Sequence, residues 1–202
     1  MDRQPSAREH RNRSRIAQTT ARLIAEHGLT DWNVAKRKAC RELGLSDREA
    51  LPDNEEVEQA LRDYNSLFQP MEQPQRLRAQ RLEALRWMER LGQWQPVLTG
   101  AVAAGWATAH SEIRIELEAE DGKTVELALI NSGVEYGSAP AAPGHAPQVQ
   151  LRIEGPESVV RLVIVSPRER RNRPGRSRDA AGDDRLSLTQ LRGLLLPDNN
   201  EA

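Results

Sequence analysis

Apolar positions in the first third of the chain recur every three or four residues, the period of a helix that buries one face. Ile16, Thr20, Leu23, Ile24 and His27 form the first stripe, and Gly28 stands where a helix C-cap belongs. Asp31 is placed to cap a second helix from Trp32 to Leu43, stopped by Gly44. Asp53, with Glu56 three residues on, gives a capping-box start to a third, whose apolar positions are Val57, Ala60, Leu61, Tyr64 and Phe68. After Pro70 and Pro74 comes the longest helical pattern, in which Leu77, Ala84, Leu85, Met88 and Leu91 face a core before Gly92.

From Val97 the period shortens to that of strands. Ile113, Ile115 and Leu117 point one way, and Glu112, Arg114, Glu116 and Glu118 the other, a pattern that any half-exposed sheet would show. Over 121–133 two signals compete. Asp121-Gly122 is a hairpin signal, whereas KTVELALINSG reads as a short helix closed by Gly133, and the helix is the expectation, with Glu126 on its solvated side. GSAPAAPGHAP from Gly137 reads as a linker or flexible loop. VQLRIE and VVRLVIV read as an antiparallel strand pair joined at Gly155-Pro156, and LSLTQLRGLLL as a short terminal helix before a frayed end.

Two segments in order, VLTGAVAAGWATAHSEIRIEL (97–117) and GPESVVRLVIVSP (155–167), carry a resemblance to the nucleotidyltransferase fold of the DNA polymerase beta-like superfamily. In that family a strand ends in Gly-Ser, a short helix follows, the next strand carries an Asp-x-Asp metal-binding pair, and a later strand supplies a third acid. Gly100-Ala101 stand in the Gly-Ser place, followed by Gly105 and by Ser111 just ahead of the second strand. Glu112 takes the first acidic position, Arg114 the second and Arg161 the third. The resemblance covers about Leu91 to Pro167. Together with the helical pattern before it and the basic segment after it, the expectation is an α+β protein: a helical N-terminal region (1–74), a small mixed-sheet nucleotidyltransferase-like domain (75–167), and an arginine-rich loop with a C-terminal helix (168–202).

The substitutions bear on chemistry. Nucleotidyl transfer needs divalent cations held by carboxylate oxygens, and a guanidinium, which stays protonated, cannot ligate one. One negative and two positive charges in place of three negative ones repel a cation. The expectation is therefore a degenerate member without metal ligands or cofactor. The alternative is an active enzyme that uses magnesium with Glu112 as its catalytic acid. Arg161, inside the apolar run 159–165, needs a partner, because an unpaired buried charge costs several kcal/mol, and Glu112 or Glu116 could supply it. Two readings stay open. Either the former metal site is an internally neutralised ion pair, or Arg114 and Arg161, with Gly100, Ala101 and Ser111, form a fork for a phosphate or nucleotide.

Length and composition set the remaining limits. The 202 residues suffice for one sizeable core, or for one domain with a helical extension. No apolar run approaches the roughly 20 residues of a membrane span, and MDRQPSAREHRNRSR has no apolar secretion core, so a cytoplasmic protein is expected. The lone Cys40 reads as a helix-packing residue, and His110 as a solvent-facing turn residue near the suspected site. A net charge of −1 hides basic clusters: Arg3, Arg8, Arg11, Arg13 and Arg15 at the start, and Arg168, Arg170, Arg171, Arg173, Arg176 and Arg178 in what reads as a mobile basic loop. These could meet nucleic-acid phosphates, but without interleaved aromatics they show no sign of base stacking. ARLIAEHGLTDWNVAKRKACRELGL resembles the first helices of a TetR-like DNA-binding domain, chiefly in its AEHG turn. Pro52 in LSDREALPDN, however, breaks the place where a recognition helix would follow, so a helical extension is expected instead. A protein partner is not specified by the sequence.

Overall fold

The computed structural model describes residues 7–46, 49–139, 149–172 and 185–196. The chain divides into two compact units, 1–74 with 108–110, and 75–107 with 111–202.

The first unit is helical. α1 (Ala7–His27) packs on both α2 (Trp32–Glu42) and α3 (Asn54–Phe68). Asp31 accepts the backbone N–H groups of Asn33 and Val34 at the start of α2. Asp53 and Glu56 form a reciprocal capping box at the start of α3, and Arg13 reaches both acids at 3.1 and 2.6 Å. Ile16, Leu23, Ala39 and Cys40 form the centre, so the single cysteine is a packing residue. Phe68 breaks from the stripe read in the sequence: it is 68% exposed, and Asn65 takes the buried position on the last turns of α3. At 21 residues α1 is longer than α4 (Glu72–Arg90, 19 residues), contrary to expectation. α4 also starts two residues ahead of Pro74. In the first turn of a helix a proline forfeits no hydrogen bond, because the N–H it lacks has no partner there.

The second unit is a mixed sheet with helices. In chain order come β1 (Val97–Thr99), α5 (Ala101–Ala104), β2 (Ile113–Glu118), α6 (Gly122–Asn131), β3 (Gly137–Ser138), β4 (Gln150–Ile153), β5 (Val160–Val165), α7 (Pro167–Asn172), β6 (Arg185–Ser187) and α8 (Leu188–Leu195). The sheet order is β3-β4-β5-β2-β1-β6, with β2 and β5 parallel and every other pair antiparallel. Ile113, Ile115 and Leu117 are fully buried and share a core with Leu98, Leu162, Met88 of α4, Val125 and Leu129 of α6, and Leu191 of α8. The chain is thus α+β, with a helical N-terminal region followed by a mixed sheet.

The helical reading of 121–133 holds, with Asp121 capping α6 through Lys123 N–H. Three readings need correction. Gly137–Ser138 is an edge strand rather than a loop, since Gly137 opposes Arg152 on β4. Residues 167–172 form a helix rather than a loop, because Ser166 and Glu169 cap each other reciprocally. Finally, β6 precedes the terminal helix, and its last residue, Ser187, caps α8 with Gln190. Residues 140–148 and 173–184, which include Arg173, Arg176 and Arg178, lie outside the described residues. Among the described residues no helix is long and apolar enough to cross a membrane.

Candidate functional site

Strand register brings the resemblance-derived residues to one end of the sheet. Thr99, the last residue of β1, opposes Arg114, and Arg114 opposes Arg161 near the start of β5. Gly100 leaves β1 with φ +73° and ψ −153°, a conformation open to glycine but strained for other residues, and its carbonyl accepts Ala104 N–H at 2.9 Å. This turns the chain into α5. Arg81 of α4 holds the other end of that helix by donating to the carbonyls of Val102 and Ala103. Ser111 contributes its carbonyl, which accepts Ser158 Oγ–H at 2.5 Å and Gln80 Nε2–H at 3.3 Å.

The centre of the arrangement is a bidentate ion pair. Arg161 donates from Nε to Glu112 Oε2 at 2.5 Å and from Nη2 to Oε1 at 2.8 Å, while Nη1 donates to Gln150 Oε1 at 3.1 Å. The side chains are 19% and 33% exposed, so the pair is largely shielded from water. The hydrogen bonds that Arg161 donates to Glu112 raise the arginine's pKa, against the opposing effect of burial. Glu116 is not the partner. It is almost fully buried and binds Arg185 of β6 at 2.8 Å, and Glu118 pairs with Arg170 of α7 at 3.2 Å. Every glutamate on this face of β2 therefore meets an arginine from another element.

The register also assembles a row of arginines that the sequence did not reveal. Arg152 opposes Arg161, Arg161 opposes Arg114, Arg114 opposes Thr99, and Thr99 opposes Arg185. Directly opposed residues of paired strands share a face, so four arginines leave one face of the sheet from a single row of positions. Arg152 and Arg185 were missed because spacing within one strand says nothing about its neighbours. Glu83 and Gln80 were missed as well. On α4 they are 2% and 1% exposed, inside a helix otherwise read as apolar toward the core. Glu83 Oε2 accepts Glu157 N–H at 3.0 Å and so anchors the β4–β5 loop, while burial holds its carboxyl above the ordinary carboxylate range. An added Cβ on Gly155 would fall 2.1 Å from Glu83 Oε1, which explains glycine in that loop.

The other predicted residues stand apart from this geometry. His110 is exposed, belongs to the first unit, and packs its ring on Gly28. Arg170 bonds Gln95 O as well as Glu118, and Arg171 Nε donates to Pro167 O, while Arg168 and Arg171 are both exposed on α7. Glu126 accepts a hydrogen bond from Tyr136 rather than standing in solvent alone. The donor set at the Glu112 end does not fit a divalent cation: both oxygens of Glu112 are engaged by Arg161, and neither arginine is a ligand. Among the described residues no three His, Cys, Asp or Glu side chains are grouped to hold a metal. No family model matches the chain, and no curated protein is significantly similar to it.

Proposed function

We propose that the chain is a nucleotidyltransferase-like protein with a degenerate metal site, acting as a noncatalytic nucleotide- or phosphate-binding or regulatory module. The observation that supports this most is the bidentate Glu112–Arg161 pair beside Arg114. In a metal-dependent enzyme of this type carboxylate oxygens must be available to the cation, whereas here they are bound to a guanidinium. The cationic side chain next in register, Arg114, is the proposed phosphate contact. Arg161 shapes the site by fixing Glu112, and Gly100, Ala101 and Ser111 form its rim.

Calorimetry with nucleoside triphosphates and with inorganic triphosphate, each with and without magnesium, tests the reading. Binding that is independent of magnesium and at least tenfold weaker in Arg114→Gln is the expected result. Magnesium-dependent nucleotide incorporation abolished by Glu112→Gln would overturn it in favour of an active transferase. A nonspecific nucleic-acid binder would instead show affinity that falls steeply with salt and depends on Arg168 and the basic segment after it. The bonds of Arg170 to Gln95 O and Glu118 weigh against that outcome.

A further inference from the structure

At the opposite edge of the sheet from β6 lies a cavity of about 540 Å³, within the range of ligand pockets. Trp87 and Tyr136 wall it, two of only seven aromatic residues in the chain, and Ile153 adds apolar surface. Arg90 lies over the Trp87 ring at 5.4 Å and is tied to the Ser132 carbonyl at 3.0 Å, so its stem and the indole form a fixed wall. The charges at the mouth balance: Arg90 and Arg152 against Glu135 and Glu154, with Arg152 and Glu154 paired at 2.8 Å. A strongly anionic or cationic ligand gains nothing from such a lining. A neutral one with an apolar or aromatic group does.

The same cavity includes the outermost strand. Hydrogen-bonded and non-hydrogen-bonded pairs alternate along an antiparallel ladder. Ala139 N–H donates to Gln150 O at 2.9 Å, so the bonded pairs are Ala139 with Gln150 and Gly137 with Arg152. The N–H and C=O of Ser138 therefore face away from β4, at the strand that ends the sheet among the described residues, and both β3 residues are exposed. An open strand edge is a template for pairing unless covered, and strand addition combines main-chain hydrogen bonds with a pocket for one side chain.

From this juxtaposition we infer that the β3 edge and the Trp87–Tyr136 cavity form a recognition site for an extended, uncharged peptide segment of a partner protein. The segment adds beside Ser138 and places an aromatic side chain in the cavity. Its backbone supplies the acceptor and donor for Ser138, and its ring fills the space between the indole and the phenol. The balanced mouth charges select against acidic or basic residues at the anchor.

Titration of the full chain with a blocked heptapeptide of alternating serine and threonine, carrying phenylalanine at its centre, tests this by calorimetry and tryptophan fluorescence. The expected result is saturable binding, weakened at least tenfold by alanine for the phenylalanine and by Trp87→Leu. Two further peptides, N-methylated on one edge or the other, decide the mode. One should lose binding at least tenfold and the other keep it, because an added strand turns only one edge to the protein. These arms alter the ligand and leave the fold of the protein untouched. No saturation below about 1 mM, or equal affinity of both N-methylated peptides, would overturn the inference.

Discussion

Replacing Glu112 by Gln should cost the second unit about 2 kcal/mol of stability. The pair lies between two measured regimes, since exposed ion pairs contribute roughly 0.2–1 kcal/mol and removal of one partner from a buried pair costs roughly 3–5 kcal/mol. With side chains 19% and 33% exposed and two hydrogen bonds between them, Arg161 and Glu112 belong nearer the buried limit. Glutamine keeps one acceptor oxygen but turns an NH2 group toward the guanidinium, so one bond and the whole charge attraction disappear. Arg161→Met should cost less, because it leaves Glu112 at a more exposed position. The double variant should cost at least 1 kcal/mol less than the sum of the two, as expected for residues in direct contact. Urea unfolding in a Trp32→Phe background reads this cleanly, because the remaining tryptophans, Trp87, Trp94 and Trp106, all belong to the second unit. At a slope of about 2 kcal/mol/M, the Glu112→Gln midpoint should fall by about 1 M. Additive single losses, or a stability gain in Glu112→Gln of the kind seen when a strained active-site acid is removed, would refute the reasoning.

Gly155→Ala should destabilise the same unit by about 3 kcal/mol, since its Cβ would sit 2.1 Å from Glu83 Oε1 and 2.5 Å from the Ser158 carbonyl. Thermal unfolding checks this, and an unchanged midpoint would count against the loop geometry. Glu83 sets a pH dependence. Its folded pKa is raised by burial, so the folded state keeps a proton that the unfolded chain releases above the ordinary value of 4.5. Its contribution is complete below that value and is lost as pH rises through the folded pKa. The urea midpoint should therefore fall over this window in the wild type and change less in Glu83→Gln, and parallel profiles would exclude Glu83 as the cause. In the first unit, Asp53→Ala removes both the cap of α3 and an Arg13 contact and should cost about 1–2 kcal/mol. Fluorescence of Trp32 in a background lacking the other tryptophans reports it, and a loss confined to the second unit would contradict the assignment.

Helices were legible where local chemistry decides them. Asp31, Asp53 with Glu56, and Asp121 cap helices in the structure as their spacing indicates, because a cap is a contact between residues two or three apart. The alternation of 113–118 likewise names its core face correctly. Phe68 and Asn65 show the limit: the apolar stripe reads through Tyr64 to Phe68, but Phe68 is exposed and the polar Asn65 is the residue that is buried. β3 and β6, of two and three residues, were not legible because their only signal is the strand beside them. The site divides the same way. That Arg161 required an acid followed from its apolar surroundings, yet the choice of Glu112 over Glu116 depended on which strand flanks β2 on each side.

That neighbour relation also explains why the polar face of β2 differs from an ordinary wet face. Arg152, Arg161 and Arg114 oppose one another on three adjacent strands, an arrangement that like charges make unfavourable. The acids that relieve it do not stand opposite the arginines. Glu154 and Glu112 pair from positions along the strands, and Glu116 holds Arg185 beyond β1. Each carboxylate therefore offsets repulsion between guanidiniums as well as binding one of them. Removing an acid exposes that repulsion, whereas removing an arginine relaxes it, which adds to the effect of exposure in the asymmetry expected between Glu112→Gln and Arg161→Met. On the proposed reading, a phosphate group arriving at Arg114 would act in the same sense as those acids, adding negative charge beside the row.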